Sequence, residues 1–129
     1  MTTRARQFLM LAGLFGALGV ALGAFGAHAL AGVFSAEPSR QATYETAVLY
    51  HLVHAAALAG TAFAVEAAPN RWTRLSGVLL ALGIVLFSGS LYLLSVFGLR
   101  LMGAVAPLGG AALIAGWGAL MVGAWRADR

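Results

Sequence analysis

The sequence contains no cysteine and no lysine, and charged residues make up only 9% of it. Without cysteine there is no disulfide framework, no thiolate nucleophile and no sulfur-ligated metal, and the redox compartment leaves no mark on the chain. Proline is confined to Pro38, Pro69 and Pro107, so long uninterrupted helices are permitted. The scarcity of charge excludes a water-soluble domain. Soluble chains are roughly half apolar and about a quarter charged, whereas this one is 61% hydrophobic. It also lacks a G-x-S-x-G, an H-E-x-x-H and a phosphate-binding loop, so hydrolase and nucleotide chemistry have no starting motif.

What the chain does have is four apolar runs of spanning length, Phe8–Ala31, Ala47–Ala68, Leu75–Phe97 and Leu101–Trp125. About 20 residues at 1.5 Å each cross the roughly 30 Å hydrocarbon core. Backbone in lipid must satisfy its own hydrogen bonds, and barrel strands alternate in polarity rather than run continuously apolar. The expected fold class is therefore all-α, an integral membrane four-helix bundle in one transmembrane domain covering residues 1–129, with the lipid bilayer as its principal partner.

Every positive side chain is an arginine, and their placement fixes an expected topology. Arg4, Arg6, Arg71, Arg74, Arg126 and Arg129 flank one end of the spans, while only Arg40 and Arg100 flank the other. The positive-inside bias puts both termini of this multi-pass chain in the cytoplasm. A pI near 10.8 would suggest nucleic acid on a solvated basic face, but no such face exists, so nucleic acid is not an expected partner. The first run exceeds the apolar core of a secretory signal, and Ala27-His28-Ala29 is read as part of an uncleaved span rather than a cleavage site.

Glycines fall at seven-residue spacing in the first run (Gly16/Gly23, Gly19/Gly26) and in the last (Gly103/Gly110, Gly109/Gly116/Gly123). Such faces admit close helix approach, and the expected neighbours are spans one and four. They also make a homo-oligomer or a partner within a membrane complex plausible. The Gly32–Arg40 segment is the longest loop, with Pro38 and Ser39 placed to start the second helix, and Pro69-Asn70 marks a short turn.

Polar residues gather at one level. With the termini inside, His28, His51, His54, Ser88, Ser90, Tyr92 and Pro107 all fall in the outer half of their spans, and Tyr44 and Tyr50 lie on the flank of the histidine stripe. Ionisable and polar side chains in membrane helices usually face the bundle interior. Ligand-binding candidates are thus His28, Tyr44, Tyr50, His51, His54, Ser88, Ser90 and Tyr92, with no catalytic residue among them. Glu45 and Arg40 are expected at the headgroups.

Four readings of these residues stand side by side. Imidazole could ligate a metal or, with His28 opposite His51 or His54, a haem, as in a subunit of a membrane redox complex. Histidine and tyrosine donors could meet the polar head of a lipid or quinone whose tail lies against glycine faces. A proton relay would need polar steps across the inner half, which is almost wholly apolar. The groups could also serve only packing, as interhelical hydrogen bonds of about 1 kcal/mol each in a structural assembly factor. No cofactor is identified by the residues alone.

Two stretches, Gly23-Ala24-Phe25-Gly26-Ala27-His28-Ala29-Leu30 and Tyr44-Glu45-Thr46-Ala47 with Tyr50-His51-Leu52-Val53-His54-Ala55, resemble signatures of the small YgdD/YwdK-type inner-membrane proteins. Phe87-Ser88-Gly89-Ser90-Leu91-Tyr92, Pro107-Leu108-Gly109-Gly110 and Gly116-Trp117 are similar to that family's later signatures. The resemblance implies about four spans and a domain of unknown function. It brings no reaction, ligand or catalytic residue.

Overall fold

Each apolar run continues as helix beyond the length that hydrocarbon requires. In the computed structural model, which describes residues 1–127, α1 is Thr3–His28, a short α2 is Ala31–Ala36, α3 is Pro38–Ala67, α4 is Arg71–Phe97 and α5 is Met102–Trp125. The four long helices are each long and apolar enough to span a membrane. No strand occurs among the described residues, so the fold is an all-α membrane bundle. Arg129, used above as a topology signal, lies outside the described residues.

Local chemistry sets the helix ends. The Thr2 side chain accepts from Ala5 N to cap α1, and Pro38 sits in the first turn of α3, where its missing N–H costs nothing. Asn70 builds a capping box with Thr73 and also donates through Nδ2 to the Gly123 carbonyl at 3.0 Å, tying the α3–α4 turn to the end of α5. Gly98 closes α4 at φ 67°, a left-handed conformation that favours glycine. Within α4, Ile84–Ser88 forms a π-helical turn.

Packing follows two antiparallel hairpins, α1 against α3 and α4 against α5, joined through α3 and α4. This corrects the expected pairing of spans one and four. The glycine faces serve the nearer partner instead. In α1, a Cβ on Gly19 would meet Leu52, on Gly23 Val48, and on Gly26 the Tyr44 ring, all residues of α3. In α5, Gly109 lies against the Phe87 backbone, Gly116 against Leu80 and Gly123 against Thr73, three α4 residues that themselves recur every seven. The heptad glycines of one helix thus meet a heptad of its antiparallel neighbour. Gly13 and Gly16 have nothing within 4 Å.

Near the chain termini the core is apolar and draws on all four spans, with Ala5, Phe8, Leu58, Val65, Leu80 and Leu113 buried together. The end away from the termini, here called the distal end, is where the polar side chains enter.

Candidate functional site: a polar layer in the distal half

One stripe of α3 presents Tyr44, His51 and His54 inward, and all three are buried, at 3%, 5% and 6% exposure. Their intervals of seven and three residues keep them near one face of the helix. The Tyr44 hydroxyl donates to the Leu22 carbonyl of α1, its ring lying where only a glycine at position 26 leaves room. That ring stands between Phe34 and Tyr92, with centroids at 5.4 and 5.3 Å.

His51 Nδ1 and the Tyr92 hydroxyl are 2.9 Å apart, linking α3 to α4. On its other side the imidazole packs edge-on to Phe15 of α1 at 6.0 Å. His51 Nε2 is buried with no hydrogen-bond partner.

His54 turns to a different neighbour. Its Nδ1 is 2.7 Å from the Tyr50 carbonyl, and its Nε2 is 3.2 Å from the Trp117 indole nitrogen of α5. A carbonyl can only accept and an indole N–H can only donate, so this imidazole is the neutral tautomer protonated at Nδ1. Both ring nitrogens are therefore occupied. Tyr50 stacks over His54 at 5.7 Å and touches Phe87 at 4.7 Å, with 41% of its surface exposed.

The serines divide. Ser88, in the π-helical turn, donates to the Ala47 carbonyl of α3 at 2.8 Å and is fully buried. Ser90 is buried but folds back onto the Phe87 carbonyl of its own helix. His28 stands at the end of α1, exposed, with no hydrogen bond or ring contact among the described residues. Near the headgroups, Arg40 pairs with Glu37 at 2.8 Å and Glu45 accepts from Gln41 at 2.9 Å, so Arg40 and Glu45 do not pair with each other.

The structure thus brings together Tyr44, His51 and Tyr92 as one connected chain of contacts, and Tyr50 with His54 as another. His28 joins neither. Among the described residues no three His, Asp or Glu side chains converge as a metal ion would require, and His54 has no free nitrogen to offer one. The residues that sequence reasoning missed are Trp117, Phe15, Phe34 and Phe87. Only Trp117 carried a signal, because an indole N–H in mid-span needs an acceptor.

Beside this layer lies a groove of about 530 Å³ between α1 and α3. Gly23, Gly26, Phe34, Tyr44, Leu49 and Glu45 are among the residues that line it; His51 and His54 do not.

A family model described as "Protein of unknown function (DUF423)" matches residues 22–110. The chain is 43% identical over 124 residues to UPF0382 inner membrane protein YgdD of Escherichia coli (strain K12), covering 96% of this chain and 93% of that protein. It is 41% identical over 127 residues to UPF0382 membrane protein YwdK of Bacillus subtilis (strain 168), covering 92% and 96%. UPF0382 membrane protein SH2409 of Staphylococcus haemolyticus is 37% identical over 123 residues, covering 94% and 97%. No solved structure matches the chain. With four helices of spanning length and relatives of this kind over nearly its whole length, the chain is a multi-pass inner-membrane protein and belongs to the DUF423 family.

Proposed function

We propose that this is a non-enzymatic membrane protein that holds an amphipathic small molecule, a lipid or a quinone, in the distal groove between α1 and α3. The observation that carries the reading is the groove itself. Its volume of about 530 Å³ lies within the roughly 300–1,000 Å³ range of small-molecule sites. It is apolar along its length and polar at one end, where Gln41 and Glu45 stand, which matches the division of an amphipathic ligand. The polar layer behind it has a supporting part. Tyr44 lines the groove, and its ring is backed by Tyr92, which in turn meets His51.

Native mass spectrometry of the full chain tests this against two variants. Leu49 is 59% exposed, so Leu49→Trp fills the groove without disturbing the core. His51→Ala removes the contact that holds Tyr92. A lipid or quinone adduct on the wild type should fall about tenfold with Leu49→Trp, a loss of roughly 1.4 kcal/mol of binding, and less with His51→Ala. Equal adducts on wild type and Leu49→Trp, or a haem mass on the wild type, would overturn the proposal.

A further inference from the structure

The end of the bundle that holds the termini carries a second cleft, independent of the groove beside Tyr44. Arg4 and Phe8 of α1 and Arg71, Arg74, Leu75 and Val78 of α4 line a cavity of about 340 Å³. Arg4, Phe8 and Val78 also line a larger apolar groove of about 670 Å³, which continues along Met10, Leu11 and Leu14 of α1 and Ala81 and Leu82 of α4. The two spaces form one feature, cationic at its head and apolar along its length. It exists because α1 and α4 are not hairpin partners and share few contacts, among them that of the Phe8 ring with Gly77.

The three arginines have no carboxylate among the described residues. The ion pairs there join the Met1 amino group to Glu66 and Arg40 to Glu37, the latter at the distal end. Arg71 rests 5.0 Å from the centre of the Trp72 ring, and Arg4 reaches only the Gln7 amide oxygen, at 3.4 Å. Both α1 and α4 begin at this end, so the positive ends of two helix dipoles add to the three guanidinium charges. Like charges around one cavity repel unless an anion lies between them. Arginine's planar fork suits phosphate oxygens.

We infer that this cleft binds an anionic glycerophospholipid, with its phosphate held by Arg4, Arg71 and Arg74 and one acyl chain lying in the groove. From Arg4 to Leu14 the helix rises about 15 Å, half of the roughly 30 Å hydrocarbon core. The groove is therefore one leaflet deep. Orienting the chain in the membrane needs only positive charge near the span ends. It does not need three arginines from two helices gathered at the head of an apolar groove.

The test is a titration of the full chain in detergent with phosphatidylglycerol and with phosphatidylcholine of the same acyl chains, read by native mass spectrometry. Phosphatidylglycerol should bind at least about tenfold more tightly. The double variant Arg4→Gln/Arg74→Gln should reduce it to the phosphatidylcholine level. Leu82→Trp keeps every charge and changes a half-exposed position, and it should weaken phosphatidylglycerol by a similar factor. Leu49→Trp should leave the selectivity unchanged, so failure here and failure of the distal site are distinguishable. Equal binding of the two lipids, retention by the arginine variant, indifference to Leu82→Trp, or displacement by millimolar inorganic phosphate would each overturn the inference.

Discussion

The Trp117 indole donates its N–H to Nε2 of His54 at 3.2 Å, joining α5 to α3 across 63 residues of sequence. This bond and the Tyr50 carbonyl together dictate the His54 tautomer. Trp117→Phe keeps an aromatic ring and removes the donor, leaving Nε2 unpaired inside the bundle. The expected loss is on the order of 1 kcal/mol, as for other interhelical hydrogen bonds in membranes. A double-mutant cycle with His54→Ala, read by detergent-induced unfolding, should give a coupling of about that size; additive effects of the two changes would refute the linkage.

Two glycine substitutions should differ sharply. A methyl group at Gly109 would run into the Phe87 backbone, which has no flexible end to swing away, whereas one at Gly13 meets nothing within 4 Å. Gly109→Ala should therefore cost about 1–3 kcal/mol or more through forced separation of α4 and α5. Gly13→Ala should stay within about 0.5 kcal/mol. Thermal unfolding of both variants in one detergent checks the contrast, and similar midpoints would contradict the close approach.

The arginine distribution predicts that both termini face the cytoplasm. A reporter active only in the cytoplasm should work when fused after Arg129, and a periplasmic reporter should work when inserted in the Ala36–Arg40 segment. Both positions reporting from the same side would reject the topology.

Four spans were legible because their signal is mean hydropathy, which survives whatever the neighbours are. Their boundaries were legible in part: Pro38 and Ser39 mark the start of α3, well before the apolar run at Ala47, whereas the Gly32–Arg40 segment read as a loop holds most of the short helix α2, Ala31–Ala36. Helix pairing was misread, since glycine spacing reveals that a face is open but not which helix fills it. The polar layer was legible as a level in the membrane, and the α3 stripe gave the inward direction of Tyr44, His51 and His54. It did not give their separate partners. Three residues at about 100° each leave two side chains about 60° apart, enough for His51 to meet Tyr92 and His54 to meet Trp117. His28 sits at the expected level but on an exposed face, which depth alone does not distinguish.

The π-helical turn at Ile84–Ser88 makes α4 a helix of two phases. A π-turn accommodates one extra residue, and one residue is about 100° of rotation about the axis. The part before it packs chiefly on α5, and the part after it packs chiefly on α3. A single transmembrane segment thereby serves as the hinge-plate of the bundle, fastened to one hairpin below the turn and to the other above it. Were the same residues to run on as a regular α-helix, everything after the turn would rotate by about 100° and carry Ser88 and Tyr92 away from Ala47 and His51 together, uncoupling the two hairpins without altering any residue that contacts them.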